Sequence, residues 1–161
     1  TADVNFVKVD ATKGLNGNTI TISGVEFELY KANESWEKGD KVKDNIVSGE
    51  SGKFSLEKLL PGKYLLVETK AGTGYSLPAD PWRIEISSTG DVKVYKTNTT
   101  VIQPTTTGSM KAYQIENARI YSLPSSGGPG IYGFTISGVA FITAALLLFI
   151  NNKRKEDNIA G

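Results

Sequence analysis

Residues 53–70 read KFSLEKLLPGKYLLVETK. Two short runs, KFSLEKL (53–59) and KYLLVETK (63–70), alternate apolar and polar side chains on either side of the breaker LPGK. Alternation with a period of two puts one set of side chains on one face of an extended strand and the other set on the opposite face. The same signature recurs in VNFVKVD (4–10), VEFELY (25–30), WRIEIS (82–87), VKVYK (92–96) and YQIENARI (113–120). The separators KGLNGN, SGESG, AGTGYSLPADP and STGD are rich in Gly, Asn, Asp, Ser and Pro, the residues that turns require. About seven strand-length segments at this spacing predict an all-β, immunoglobulin-like sandwich over residues 1–120. No 3.6-residue period appears within it. KANESWEKGDKVKDN (31–45) reads as a polar loop with room for one helical turn, and the Thr-rich TNTTVIQPTTTGSM (97–110) as a long connection or irregular edge.

Composition narrows the chemistry. The 161 residues carry a net charge of +1, so nothing global points to nucleic acid or to a polyanionic substrate. Cys and His are both absent. That removes disulfides, the common zinc sites, thiol nucleophiles and His-based acid–base catalysis. No cofactor or metal is expected. The start, TADVNFVKVD, lacks an initiator Met, a basic region and an apolar region, and reads as a mature or excised piece.

Strand parity isolates three polar residues. Val4, Phe6 and Lys8 share a face; so do Tyr64, Leu66 and Glu68, and so do Tyr113, Ile115 and Asn117. Elsewhere the carboxylates, such as Glu26, Glu28 and Glu85, fall opposite the apolar residues. One Lys, one Glu and one Asn therefore point inward from the first, a middle and the last strand. Burying them is costly unless they meet. A desolvated Lys tends toward a neutral, nucleophilic amine, and a desolvated Glu toward a protonated acid. Attack of the Lys8 amine on Asn117 Cγ, with Glu68 shuttling protons, would expel ammonia and leave an isopeptide bond. Such a bond spans about 100 residues and would add on the order of 4–5 kcal/mol by constraining the unfolded chain.

At the other end, Ile131–Ile150 is an uncharged apolar run followed by NNKRKEDN. At 1.5 Å per residue, about 20 residues match a hydrocarbon core of about 30 Å. The run predicts a transmembrane helix, with a basic cytoplasmic tail over 151–161 built on Lys153, Arg154 and Lys155. Just before it, residues 121–130 form a polar breaker segment containing LPSSGGPG. Three readings fit this tail: a permanent single-pass anchor, a lipid-anchor signal, or a sorting signal. The order of pentapeptide, apolar span and basic tail resembles the cell-wall sorting signals of Gram-positive surface proteins. Leu123, Pro124, Ser125, Ser126 and Gly127 occupy the LPxTG positions, with Ser126 where Thr is usual. The resemblance implies a sortase transpeptidase that cuts between Ser126 and Gly127. It then joins the Ser126 carbonyl to an amine, from a peptidoglycan precursor or another pilin subunit. Cell-wall localisation follows, with the membrane span as the tether before sorting.

FVKVDATKG, GVEFELYKA, SGKFSLEKLLPGKYLLVETKAGTGY and YQIENARIYSLPSSGG together resemble a CnaB-type (SpaA-like, prealbumin-like) isopeptide-forming pilin domain. The resemblance covers about residues 3–127. In that family a first-strand Lys joins an Asn or Asp of the last strand, assisted by the Glu of a box read YxLxETxAPxGY. The matching positions are Lys8, Asn117 and Glu68, the three that parity selects. Gly72 stands where the box usually has Pro. Lys96, in VKVYK, resembles the polymerising lysine of shaft pilins, read VxVYPK, but lacks the Pro and reads as a surface lysine.

The resulting expectation is a structural surface protein, a pilin or adhesin domain stiffened by an internal bond, and not an enzyme on external substrates. The alternatives are a host-matrix or carbohydrate-binding module on the same scaffold, or a permanently membrane-anchored protein. Trp36 and Trp82 read as packing residues.

Overall fold

The turn at Leu60–Pro61 carries the chain out of one sheet and into another. This is seen in a computed structural model that describes residues 1–14, 16–96, 99–107, 110–121 and 147–150. The strands are β1 (Ala2–Asp10), β2 (Glu26–Ala32), β3 (Lys38–Val47), β4 (Lys53–Leu59), β5 (Gly62–Lys70), β6 (Trp82–Ile86), β7 (Val92–Tyr95), β8 (Val101–Ile102), β9 (Thr105–Thr107) and β10 (Met110–Asn117). One sheet runs β4-β1-β10-β9 and the other β3-β2-β5-β6-β7-β8. β1 and β10, the first and last strands, are parallel neighbours, with Phe6 opposite Tyr113, Lys8 opposite Ile115 and Asp10 opposite Asn117.

Alternation sets what lies between the sheets. Val4, Phe6, Leu56 and Ile115 from the four-stranded sheet meet Phe27, Leu29, Tyr64, Leu66, Ile84 and Val94 from the six-stranded sheet in one core. At its centre the Phe54 ring stacks on Phe6 at 5.1 Å and on Phe27 at 4.7 Å. Val7 and Val9 leave the opposite face of β1 and form a smaller cluster with Ala112. β4 keeps its apolar face to the end through an irregularity: Lys58 takes a left-handed φ of 55°, its N–H bonds Asp3, and Leu59 turns inward in its place.

Two expectations change. The described residues hold ten strands, not about seven, because the Thr-rich stretch supplies the short β8 and β9 and the stretch read as a polar loop supplies β3. β3 escapes the alternation test for a physical reason. It pairs only with β2 at the edge of its sheet, so Ile46 is its one buried residue. Its lysines and aspartates suit an edge that must not recruit a further strand. The last strand also ends at Asn117, earlier than the pattern 113–120 suggests, with Arg119 retained in a single bridge to Tyr75.

Residues 1–121 form one compact unit and 122–161 a second. Of the second, only Leu147–Ile150 are described, and they are helical. The pentapeptide Leu123–Gly127, the basic tail and most of the run Ile131–Ile150 lie outside the described residues. Among those described, no helix is long and apolar enough to cross a membrane.

Candidate functional site

The inward faces of β1, β5 and β10 deliver Lys8, Glu68 and Asn117 to one point in the core. Lys8 is fully buried, and Glu68 and Asn117 are 8% and 2% exposed. Lys8 and Asn117 stand on adjacent strands, offset by two registers, so the long Lys side chain reaches along the strand to the carboxamide. Glu68 arrives from the facing sheet. Lys8 Nζ donates to Asn117 Oδ1 at 2.5 Å, and Asn117 Nδ2 donates to Glu68 Oε1 at 2.5 Å. Lys8 Nζ lies 3.0 Å from Glu68 Oε2, which accepts no hydrogen bond from another group among the described residues. The two carboxylate oxygens thus face the two nitrogens, one each.

The surroundings are apolar. The Phe27 ring centroid lies 5.9 Å from Lys8 Nζ. Burial lowers the Lys8 amine below the usual lysine range, and the neighbouring Glu68 only partly opposes this. The Lys8 backbone is held too. Its carbonyl accepts the Ile22 N–H at 2.9 Å, and the turn at Gly52 packs against it. Gly52 has a φ of +70°, and a Cβ there would sit 2.4 Å from the Lys8 carbonyl oxygen. Glycine is required at this position on both counts.

A second polar cluster, which parity alone did not single out, lies next to the first. The buried Asp10 carboxylate accepts from Thr12 N–H at 2.8 Å, Thr12 Oγ1 at 2.7 Å, Tyr75 OH at 2.9 Å and Arg119 Nε at 2.5 Å. Burial would raise this acid, but the two bonds from Thr12, with those from Arg119 and Tyr75, hold it well below the usual carboxylate range. The signal was present in the sequence: Asp10 shares parity with Lys8, and Arg119 with Asn117. Nearby, Gly72 fills the position where the family pattern has Pro. A Cβ there would lie 2.5 Å from Ile22 Cγ2, so this packing excludes the usual residue unless Ile22 moves.

The remaining candidates take no part in the contacts of the triad given above. Lys96 pairs with Glu116 at the surface. Trp82 is buried, whereas Trp36 packs on the outside of the six-stranded sheet against Tyr95, with Lys63 and Arg83 over its ring at 5.2 and 5.1 Å.

Residues 2–100 match the SpaA family, a prealbumin-like fold domain, and residues 122–158 match the LPXTG cell wall anchor motif. No curated protein matches the chain. Among solved structures, domains D2 and D3 of the major pilin SpaD from Corynebacterium diphtheriae superpose with a TM-score of 0.50 at 20% identity, covering 73% of this chain and 46% of that one. The full-length major pilin RrgB from Streptococcus pneumoniae gives 0.50 at 18% identity, covering 74% and 30%. The chain spans less than half the length of these pilin structures, and at such identities the likeness shows the fold. The anchor motif places the chain at the Gram-positive cell wall. With 2–100 matched and the two sheets of the sandwich described, the chain belongs to the SpaA family of prealbumin-like domains, joined here to a cell-wall anchor.

Proposed function

We propose that this chain is a force-bearing domain of a pilus-type surface protein that closes its own Lys8–Asn117 isopeptide bond. The observation that carries the reading is the buried triangle of Lys8 Nζ, Asn117 and Glu68, with contacts of 2.5, 2.5 and 3.0 Å.

The chemistry balances without a cofactor. Transfer of one proton from Lys8 Nζ to Glu68 Oε2, 3.0 Å away, leaves the neutral amine toward which burial moves Lys8. Nζ attacks Asn117 Cγ, and the carbonyl electron pair moves onto Oδ1. Glu68 takes a proton from Nζ on one side and gives one to Nδ2 on the other. Collapse breaks Cγ–Nδ2, releases ammonia and leaves the Nζ–Cγ amide, with Glu68 restored to the acid. Fixed proximity supplies the drive. Asn117 also lines a surface groove with Ser76, Leu77 and Lys96, a short way out for ammonia. The reaction happens once per chain, so Glu68 is a proton shuttle and not part of an enzyme acting on external substrates.

The topology gives the bond a mechanical meaning. β1 and β10 are parallel, so tension between the two ends of the domain shears one past the other. A bond from Lys8 to Asn117 carries that tension directly and bypasses residues 9–116. For the tail, the anchor match over 122–158 supports cleavage between Ser126 and Gly127 by a sortase. The Ser126 carbonyl would pass to an amine of a peptidoglycan precursor or of another subunit.

Intact mass tests the bond. The full chain should be lighter than its sequence by one ammonia, and Lys8→Ala, Glu68→Ala and Asn117→Ala should each have the unmodified mass. A parent at full sequence mass would refute it.

A further inference from the structure

Each member of the triad has a companion on its own segment, and the companions meet each other. Asp10 lies two residues beyond Lys8 on the same face of β1. Arg119 lies two residues beyond Asn117, and Tyr75 lies in the turn that follows β5, where it bridges to Arg119. Asp10 gathers the Tyr75 hydroxyl at 2.9 Å and Arg119 Nε at 2.5 Å, as Asn117 gathers Lys8 and Glu68 one step further inside. Backbone bonds run through the same place. Ala11 N–H donates to the Asn117 carbonyl at 2.9 Å, Ser76 N–H to Ala118 at 3.0 Å and Ile120 N–H to Gly74 at 2.9 Å.

We propose that Asp10, Tyr75 and Arg119 form a latch that positions the triad, holding the ends of β1, β5 and β10 in the register that brings Lys8, Glu68 and Asn117 into contact. The inference rests on the isopeptide reading above. Without the latch, the side-chain tie left beyond Asn117 among the described residues is the Ser76 hydroxyl on the Ala118 carbonyl at 3.2 Å, and the pairing of β10 with β1 ends at Asp10. The carboxamide would then be free to drift from Nζ, and reactions of this kind lose rate steeply when the reacting atoms are displaced by about 1 Å. The three side chains touch no reacting atom, so they are positioning residues.

The test uses the full chain made by chemical synthesis and kept in guanidinium chloride, so that it has never folded and Lys8 and Asn117 are still free, and follows ammonia loss by intact mass as it folds on dilution. Tryptophan fluorescence in the same run reports the folded fraction. Asp10→Asn and Arg119→Ala should slow ammonia loss roughly ten- to a hundredfold within the folded population. Tyr75→Phe keeps the ring and its packing and should slow it less. Arg119→Lys, which restores a cation to Asp10, should recover part of the rate, and Lys41→Ala, remote from the triad, should leave it unchanged. Parental rates in the folded fraction of all three latch variants would overturn the latch and leave the bond standing. A parent that never loses ammonia would overturn both.

Discussion

Lys8–Glu68 and Lys41–Glu28 are the same ion pair in two settings. The first has its atoms 3.0 Å apart with neither side chain exposed; the second is closer, at 2.6 Å, with side chains 42% and 26% exposed. The closer pair does less. At the surface, the hydrogen bond from Lys41 to Glu28 raises the lysine above its usual range, and water and salt screen the attraction. In the core, desolvation outweighs the partner and lowers Lys8. Burial, not distance, moves a lysine toward the neutral amine that the proposed bond requires. The third residue completes the difference: Asn117 accepts a hydrogen bond from the buried amine and is the group that the proposed reaction attacks.

The largest effect should come from breaking the buried set. Asn117→Ala removes the acceptor of the proposed cross-link, which would join residues 109 positions apart. It should lose on the order of 4–5 kcal/mol by guanidinium denaturation, through the unfolded chain. Glu68→Ala should lose more, since it also leaves Lys8 buried without its counter-charge, a defect that costs about 3–5 kcal/mol. Next comes the backbone under Lys8. Gly52→Ala forces a Cβ against the Lys8 carbonyl in a left-handed conformation and should cost about 3 kcal/mol, read as a shift of the denaturation midpoint with bond formation impaired.

A pH titration sharpens the contrast without changing the size of either pair. In Asn117→Ala, Lys8 stays a free amine whose folded pKa lies below its unfolded value of about 10.4. Between those two values the unfolded chain binds more protons, so stability should rise with pH. The proposed acylation of Nζ would remove that slope from the parent. Lys41 works in the opposite sense: its folded value is raised, so its contribution is complete below the unfolded value and fades as pH climbs through the folded one. The smallest effect belongs here. Lys41→Ala should leave the melting temperature and ammonia loss unchanged.

How much of this was legible in the sequence depended on burial. KYLLVETK shows its inward face because Tyr64, Leu66 and Glu68 alternate with half-buried or outward residues, although Leu65 is also covered. YQIENARI shows Asn117 in the same way, whereas VNFVKVD shows Lys8 less plainly, because Val7 and Val9 are buried on the other face of β1. β3 could not be read, since an edge strand with one buried residue has no reason to alternate. Alternation also says nothing about which sheet a strand joins, so the crossing at Leu60–Pro61 between β4 and β5 had to be seen. Asp10 was visible by parity yet stood at a strand end, where aspartate ordinarily marks a turn. Arg119 lies past the last strand, held by a single bridge and by the carboxylate it meets. Such contacts depend on tertiary placement, which local pattern does not carry.

The most direct measurement is a peptide map of the native, full-length chain by tandem mass spectrometry. The account predicts one branched species in which the Lys8 peptide and the Asn117 peptide are joined through Nζ and Cγ, short of one ammonia. Two separate linear peptides, with Lys8 open to cleavage and Asn117 intact, would contradict it.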